Sequence, residues 1–383
     1  MYIYVDVSSA VHAKAGLKRY AENLVRELSP LLGEQLRLFQ NSLGRRGPLP
    51  GWQGAPPKGV RLGYKPWRAL VLFGQIAHLP LDHLIPQAAL FHATEHLLPP
   101  FFKIPTVLTV HDLIFERYPE YHKKMNYLYL RAAMPLYCQR ATAIIAVSEA
   151  TKRDLCTFYK IPSSKIAVIP EAAAPHFYPQ SREKIAAARK RYKLPSRYIL
   201  TVGTIEPRKN LIRLLEACTP LFHKGLLDGL AIAGSKGWLY KEFFDHLRRF
   251  PYRKKIFILG FVPEKDLPAL YSGALVTVQP SLCEGFGLPV LEAMACGSPV
   301  CASNNSSFPE VGGQAALYFD PENVAEISKT LQRVLANEGL RREMRSKGLA
   351  RAASFSWART AQETVSLYNK ILEQNSKGGK SAP

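Results

Sequence analysis

Two carboxylates separated by seven residues, Glu284 and Glu292, bracket a glycine-rich bend in the run Glu-Gly-Phe-Gly-Leu-Pro-Val-Leu-Glu. A strand-like segment over residues 275–278 precedes the run, and a short helical pattern over 289–296 follows, closed by Gly297. Proline is favoured at the first helical position and glycine just past the end, so both boundaries are marked. A glycine-rich turn from strand to helix offers backbone N–H groups and the positive end of a helix dipole, about half an elementary charge. Such a place suits a phosphate. Glu284 is expected in the loop and Glu292 in the first helical turn, where each can accept hydrogen bonds from sugar or ribose hydroxyls. On this fragment alone, an acidic helix start with no further role reads equally well.

A second constellation, Val202-Gly203-Thr204-Ile205-Glu206-Pro207-Arg208-Lys209-Asn210, follows another strand. Arginine offers a planar bidentate fork and lysine a point charge, so Arg208 and Lys209 together could clamp a diphosphate. An isolated Arg-Lys pair is more often a solvated turn. Position argues for the clamp, because both constellations follow strands of one series. Gly16, read as a loop glycine after the first strand, gives either close backbone approach to a phosphate or only a turn.

The elements that must position these residues alternate between strand and helix. Strands are expected at 2–7, 36–39, 89–92, 106–110 and 143–147, with helices at 16–32, 125–139 and 148–159. A proline-rich band over 161–179 and a charged helix at 182–192 lead into a second series. There, strands at 198–202, 230–233, 255–259 and 275–278 alternate with helices at 211–223, 239–250, 264–273 and 289–296. Alternation of this kind argues for parallel sheets covered by helices. Two series imply two Rossmann-like α/β domains facing across a cleft, with ligands beyond the carboxyl ends of the strands. The expected boundaries are 1–170 and 171–356, a last helix at 357–373, and a disordered tail over 375–383. In that helix Trp357, Val365, Tyr368 and Leu372 share one side, an ordinary core face.

Length and composition agree with two globular domains, and no apolar run is long enough to span a membrane. The chain opens directly on a strand with no basic start or small-residue cleavage site, so a cytoplasmic location is expected. The six cysteines show no C-x-x-C pair and no zinc spacing, which predicts free thiols. A formal charge of +21 implies an anionic partner: a membrane surface, a nucleic acid or a phosphorylated substrate.

The run Gly-Thr-Ile-Glu-Pro-Arg-Lys-Asn-Leu, the Glu-x7-Glu segment, Pro309-Glu310-Val311-Gly312-Gly313 and His111-Asp112 occur in the order and spacing of glycosyltransferase family 4, which the chain resembles. The likeness covers nearly the whole chain, is strongest over 195–320, and looks nearest to the mannosyltransferase-like branch that builds bacterial surface polysaccharides. The resemblance implies a GT-B fold, with the last helix crossing back to the amino-terminal, acceptor-binding domain. It also implies retaining transfer of a hexose, mannose favoured, from a nucleotide-diphosphate sugar to a hydroxyl of a polyprenyl-linked or saccharide acceptor. GDP-mannose is the favoured donor, with UDP- and dTDP-sugars open. Carried over by position, Arg208 and Lys209 bind the diphosphate, Glu292 holds the ribose and Glu284 faces the sugar. Gly16, Gly203 and the backbone of Gly285, Phe286, Gly287 and Leu288 complete the donor site. His111 would lie at the donor sugar. Two departures stand out: Thr204 replaces a common arginine, and Glu171-Ala172-Ala173-Ala174 replaces the usual interdomain Asn-Gly-Val-Asp.

No D-x-D occurs in the chain, so the usual carboxylate clamp for a metal-bound nucleotide is missing. Metal-independent transfer with no cofactor is expected, the two cations and a helix dipole neutralising charge. His92-Ala93-Thr94-Glu95-His96 matches the H-x-x-E-H pattern of a zinc peptidase class, which needs a helix to bring both imidazoles to one metal. Here the segment leaves a strand and meets Pro99-Pro100, so His92 and His96, with Asp112, are assigned instead to the acceptor side. His111-Asp112 could be an acid–base pair, although neighbours in a strand point to opposite faces. The basic, aromatic stretch over 58–68, with Arg61, Lys65, Trp67 and Arg68, reads as a docking loop for the anionic inner face of the cytoplasmic membrane. A second, over 248–255, reads as a helix end capped by cations. Two other classes remain as alternatives, a nucleic-acid-binding protein and a catalytically silent nucleotide-sugar-binding subunit; no nucleic acid is expected on the favoured reading.

Overall fold

Strands built from branched and small apolar residues set the architecture of the computed structural model, which describes residues 1–12, 15–43 and 52–378. Two compact units emerge. Unit 1 comprises Met1–Arg117, Lys124–Glu171 and Ser356–Pro383, and unit 2 comprises Tyr118–Lys123 and Ala172–Phe355.

Unit 1 holds a seven-stranded sheet of β1 (Tyr2–Asp6), β2 (Leu36–Asn41), β3 (Lys58–Val60), β4 (Ala88–Ala93), β5 (Thr106–Val110), β6 (Ala143–Ala146) and β7 (Ile166–Val168). All pairs are parallel, in the order β3-β2-β1-β4-β5-β6-β7. Unit 2 holds a six-stranded parallel sheet of β8 (Tyr198–Val202), β9 (Gly229–Ala233), β10 (Ile256–Gly260), β11 (Val276–Gln279), β12 (Val300–Ser303) and β13 (Ala316–Phe319), in the order β10-β9-β8-β11-β12-β13. Residues of β5 and β9 are buried at every position, as strands covered on both faces require. Each fully buried Leu, Val or Ile contributes about 1.5–3 kcal/mol. Each unit therefore has its own core, one centred on Phe39, Phe91 and Leu108, the other on Leu214, Val278 and Phe319.

Strand order places the sites. Sequence order reverses between β1 and β4 in unit 1 and between β8 and β11 in unit 2. Loops leaving neighbouring strands at such a switch point diverge and leave a crevice beyond the carboxyl ends. In unit 2 those are the loops carrying Arg208-Lys209 and Glu284.

The last helix, Trp357–Gly378, belongs to unit 1. Its buried face is Trp357, Ala361, Thr364, Tyr368 and Ile371, so the expected Val365 and Leu372 lie at the margins. Thr364 can be buried because its hydroxyl donates to the Thr360 carbonyl one turn back (2.7 Å). The Trp357 ring meets Tyr20 of the helix Ala15–Leu32 edge to face at 5.8 Å. The tail expected to be disordered from Asn375 is helical to Gly378; residues 379–383 lie outside the described residues.

The expected docking loop over 58–68 is instead β3 and the start of a helix, Tyr64–Ile76. Trp67 is a core residue, and the Arg68 guanidinium lies over the Tyr129 ring at 3.7 Å while donating to Asn126. Residues 118–123, adjacent in sequence to unit 1, group with unit 2. The Trp238 indole N–H donates to the Tyr121 carbonyl, and the Trp238 ring stacks on His122 at 5.7 Å. Of the second basic stretch, Arg248 and Arg249 fall in the last turn of the helix Lys241–Arg249 and complement its dipole, while Arg253, Lys254 and Lys255 form a separate short turn beyond it.

Candidate active site

In unit 2 the bend after β11 is built by glycine and held by hydroxyls. Gly287 has φ +99°, and a Cβ there would come within 2.9 Å of the Phe308 ring, so no other residue fits without strain. That turn starts the helix at Leu288, with Pro289, which lacks an N–H, in the first turn where none is needed. Glu292 is therefore the fifth residue of the helix Leu288–Ala295, past the first turn in which it was expected. It is buried, and its carboxylate accepts the Tyr271 hydroxyl at 3.0 Å.

A segment after β12 clamps the bend, a contribution the sequence reading missed. Ser306 Oγ accepts the Glu284 N–H (3.1 Å), Ser307 Oγ donates to the Phe286 carbonyl (2.7 Å) and Asn305 donates to the Leu282 carbonyl (2.9 Å). The only signal was composition, a run of short polar residues, Ser-Asn-Asn-Ser-Ser, ahead of Phe308-Pro309. Each can tie a backbone group locally.

The loop after β8 brings the cations to that bend. Asn210, with φ +55°, anchors the loop by donating to the carbonyls of Pro280 (3.1 Å) and Pro321 (2.7 Å). Lys209 Nζ then reaches Glu284 Oε1 at 2.5 Å, and Arg208 Nη1 lies 2.8 Å from Glu284 Oε2. Arg208 also donates to the Cys283 carbonyl (2.9 Å) and, through Nε and Nη2, to Glu206 Oε1 at 3.0 and 2.6 Å. Gly203 lies under this arrangement: a Cβ there would stand 3.0 Å from Lys209 Cε. The side chains of Arg208, Lys209 and Glu284 keep 15%, 12% and 13% exposure, enough to be reached by a ligand. Burial alone would raise the Glu284 carboxyl, but the charges of Arg208 and Lys209 outweigh it and hold the group at about 2. Glu206 is different. Burial dominates there and raises its carboxyl despite Arg208. Glu206 was legible only as an acid two residues before the cation it holds.

The remaining expected residues belong to unit 1. His111 follows β5 and is nearly enclosed. Its Nε2 lies 2.9 Å from the Thr94 carbonyl and its Nδ1 3.0 Å from Glu171 Oε1. Both partners are acceptors, so the arrangement favours a ring with both nitrogens protonated. Burial opposes that charge; the hydrogen bond and charge of Glu171, with the Thr94 carbonyl, prevail and raise the His111 pKa. Glu171, read in the sequence only as part of a departure in the interdomain segment, is thus the partner of His111. Asp112 does not share in this contact. Its carboxylate accepts the Ile114 N–H at 3.1 Å, a local turn.

His92 is not on an acceptor surface. It is fully buried in β4, with Nδ1 2.5 Å from the Tyr368 hydroxyl and Nε2 2.7 Å from Thr109 Oγ1. Burial, with a smaller effect from His111, lowers its pKa to about 3, so the ring is neutral. His96 accepts the His111 N–H through Nε2 (3.1 Å) and acts as a loop latch. Among the described residues no group of three His, Cys, Asp or Glu side chains is placed to hold a metal ion. Gly16 stands in the first turn of the helix Ala15–Leu32 rather than in a loop, exposed and with open space around its Cα.

Comparison with known proteins agrees with this architecture. A model of the glycosyl transferases group 1 matches residues 183–351, and one of Glycosyltransferase Family 4 matches residues 15–174. The O-antigen chain mannosyltransferase B of Escherichia coli is 34% identical over 285 residues, covering 74% of this chain and 74% of that protein. Serotype-specific mannosyltransferase WbdA of Escherichia coli is 33% identical over 244 residues, 62% of this chain and 30% of that one. Sucrose-phosphate synthase from Thermosynechococcus elongatus superposes with a TM-score of 0.77 at 20% identity, covering 98% of this chain and all of that one. Two parallel-sheet α/β units with a carboxy-terminal helix returning to the first define the GT-B class of sugar transferases. The chain belongs to glycosyltransferase family 4, in its mannosyltransferase-like branch. It is a hexosyltransferase. Among the described residues no helix is long and apolar enough to cross a membrane.

Proposed function

We propose that the chain transfers mannose from GDP-mannose to a hydroxyl of a polyprenyl-linked saccharide, with retention and without a metal ion, during assembly of a bacterial surface polysaccharide. The supporting relatives are mannosyltransferases named for O-antigen chains. A lipid-linked acceptor puts the enzyme at the inner face of the cytoplasmic membrane as a peripheral protein. One observation carries the chemistry: at the switch point of unit 2, Arg208 and Lys209 converge on the single carboxylate of Glu284.

In that arrangement two cations are held together by an anion that a diphosphate can replace. The arginine fork suits two phosphate oxygens and the lysine a third. As the sugar–oxygen bond breaks through an oxocarbenium-like state, the leaving diphosphate gains negative charge. Each fixed cation then stabilises that state by about 2.7–4 kcal/mol, the scale of one oxyanion contact. Once the diphosphate has replaced Glu284, the two cations supply the charge neutralisation that a metal would otherwise give, and this supports metal-free transfer. The acceptor oxygen attacks from the face the diphosphate leaves, its proton passing to a departing phosphate oxygen. His111 is not proposed as the base, because both its ring nitrogens already face acceptors.

The test is a panel of GDP-mannose, UDP-glucose and dTDP-rhamnose in thermal shift, followed by NMR of the product anomer with and without chelator. A donor at about a hundred times Kd adds ~2.7 kcal/mol of stability. GDP-mannose is expected to stabilise most and to yield an α-linked product unaffected by EDTA. Preference for another base, an inverted anomer or loss of turnover in chelator would each reject the corresponding part of the proposal.

A further inference from the structure

The helix Tyr64–Ile76 carries two apolar stripes. One face, Trp67, Val71 and Gly74, packs into the unit 1 core. The other presents Leu70, Phe73 and Ile76 to solvent, at 40%, 59% and 62% exposure. The core covers only the first stripe, so the exposed one forms an apolar patch that calls for a second apolar surrounding.

The helix Lys124–Arg140 continues this surface. Arg68 donates to Asn126 (2.9 Å) at one end of the pair, and Arg140 donates to Gln75 (3.2 Å) at the other, so the two helices lie side by side. Along the second helix Met125 and Leu128 are exposed at 78% and 48%. Exposed cations accompany these residues: Lys58, Arg61 and Lys65 on the first segment, Lys124 and Arg131 on the second. Carboxylates do not. No acidic residue occurs between Glu34 and Asp82 or between Glu120 and Glu149, and both helices lie inside those stretches.

We propose that the paired helices Tyr64–Ile76 and Lys124–Arg140 form a docking face for an anionic lipid bilayer, a proposal that rests on the reading that the acceptor is lipid-linked. Apolar side chains among charges of one sign match a surface that is negative across its whole area and apolar beneath. Phe73, Ile76 and Met125 enter the headgroup–acyl boundary while Arg61, Lys65 and Lys124 meet the phosphates. The loop reading from sequence also named Arg61 and Lys65; the face proposed here takes its apolar contribution from Phe73 and Ile76 rather than from the buried Trp67.

Co-sedimentation of the full chain with phosphatidylcholine vesicles, with and without phosphatidylglycerol, tests this without any donor. Wild type is expected to bind the anionic vesicles and to be partly released by salt. F73D/I76D is expected to weaken binding about tenfold or more at all salt concentrations, since each side chain forfeits its apolar burial. R61Q/K65Q/K124Q is expected to weaken it about a hundredfold at low salt only, at about 1 kcal/mol per cation. Transfer to a water-soluble acceptor should be unchanged in both variants. Failure of wild type to bind, or full binding by both variants, overturns the docking face. So does a wild-type dimer in size-exclusion chromatography that F73D/I76D dissolves, which would make this a self-association surface. Vesicle binding lost as predicted by an enzyme that transfers no mannose would keep the docking face and reject the proposed reaction.

Discussion

In unit 2 the shielded polar groups beyond the strand ends are ions; in unit 1 a neutral chain runs across β4 and β5 and stops beside one ion pair. Glu284, Arg208, Lys209 and Glu206 neutralise one another within two loops. In unit 1 the Tyr368 hydroxyl meets His92, His92 meets Thr109, and Thr109 meets the Tyr20 hydroxyl at 3.1 Å. The Tyr20 ring then stands edge-on to His111 at 4.7 Å, where the charged pair with Glu171 begins. The difference teaches what each arrangement is for. A cation held by a carboxylate can be handed to an incoming anion, because one negative partner replaces another. A chain of neutral hydrogen bonds offers nothing to exchange, so it fixes elements in place, here the last helix against β4 and β5.

The largest expected effect follows from removing what is exchanged. Lys209→Ala or Arg208→Ala should lower kcat at saturating donor by about a hundredfold to a thousandfold, the loss of one transition-state charge contact. Steady-state rates on a soluble acceptor measure it, and a variant within about twofold of wild type would end the assignment. The two glutamates should then separate. Glu284→Gln leaves two cations without their anion and should mainly reduce kcat. Glu292→Gln keeps the shape that accepts the Tyr271 hydroxyl, so it should mainly raise the donor KM, by about tenfold or a little more. Identical changes in both parameters for both variants would mean the carboxylates share one role.

Much of this contrast is legible in the sequence. The Arg208-Lys209 pair and the bend from Glu284 are local patterns, each a strand end followed by turn chemistry, and parallel alternation implied that such loops share one edge of a sheet. Glycine at 287 announced a special backbone angle. The partners of charge were not legible. Glu171 meets His111 only because the segment after β7 reaches past β6 to the end of β5, and no spacing in the sequence encodes that. His92 and His96 show the converse: an apparent metal motif dissolved because the strand turns His92 inward and the loop turns His96 onto a backbone N–H. Short elements such as β3, β12 and β13 escaped because three or four residues carry too little periodicity to be told from loop.

The two ion pairs should respond to pH with opposite sign, and their effect is next in size. Glu284 has a folded pKa depressed to about 2 from an ordinary value of 4.5, so its stabilisation is present above the ordinary value and is lost as pH falls toward 2. His111 has a folded pKa raised above 6.5, so its stabilisation is full below 6.5 and is lost as pH rises through the folded value. In thermal melts the advantage of wild type over Glu284→Gln should shrink on the acid side. The advantage over Glu171→Gln should shrink on the alkaline side. Parallel profiles for the two variants would contradict the assignment of these charges.

The smallest effect should come from the neutral chain. Tyr368→Phe removes one hydroxyl from a fully buried pair and leaves His92 Nδ1 facing a ring edge. The neutral imidazole has one donor and one acceptor, and it can keep its N–H on Nε2 toward Thr109, leaving only a lone pair unmatched at Nδ1. That places the cost near the lower end of the range for a lost buried partner, about 1 kcal/mol, or roughly 2–4 °C in the melting of unit 1. A histidine held neutral by burial has no charge to strand, so the loss should be the same at pH values well above 3. Neither kcat nor the donor KM should change, since no group of this chain is exchanged with a ligand. A tenfold fall in kcat for Tyr368→Phe, with the fold intact by circular dichroism, would show that the hydrogen bonds from the last helix through Thr109 and Tyr20 set the position of His111. The neutral chain would then be part of the catalytic apparatus, and the division between exchanged charge and fixed scaffold would no longer follow the boundary between the units.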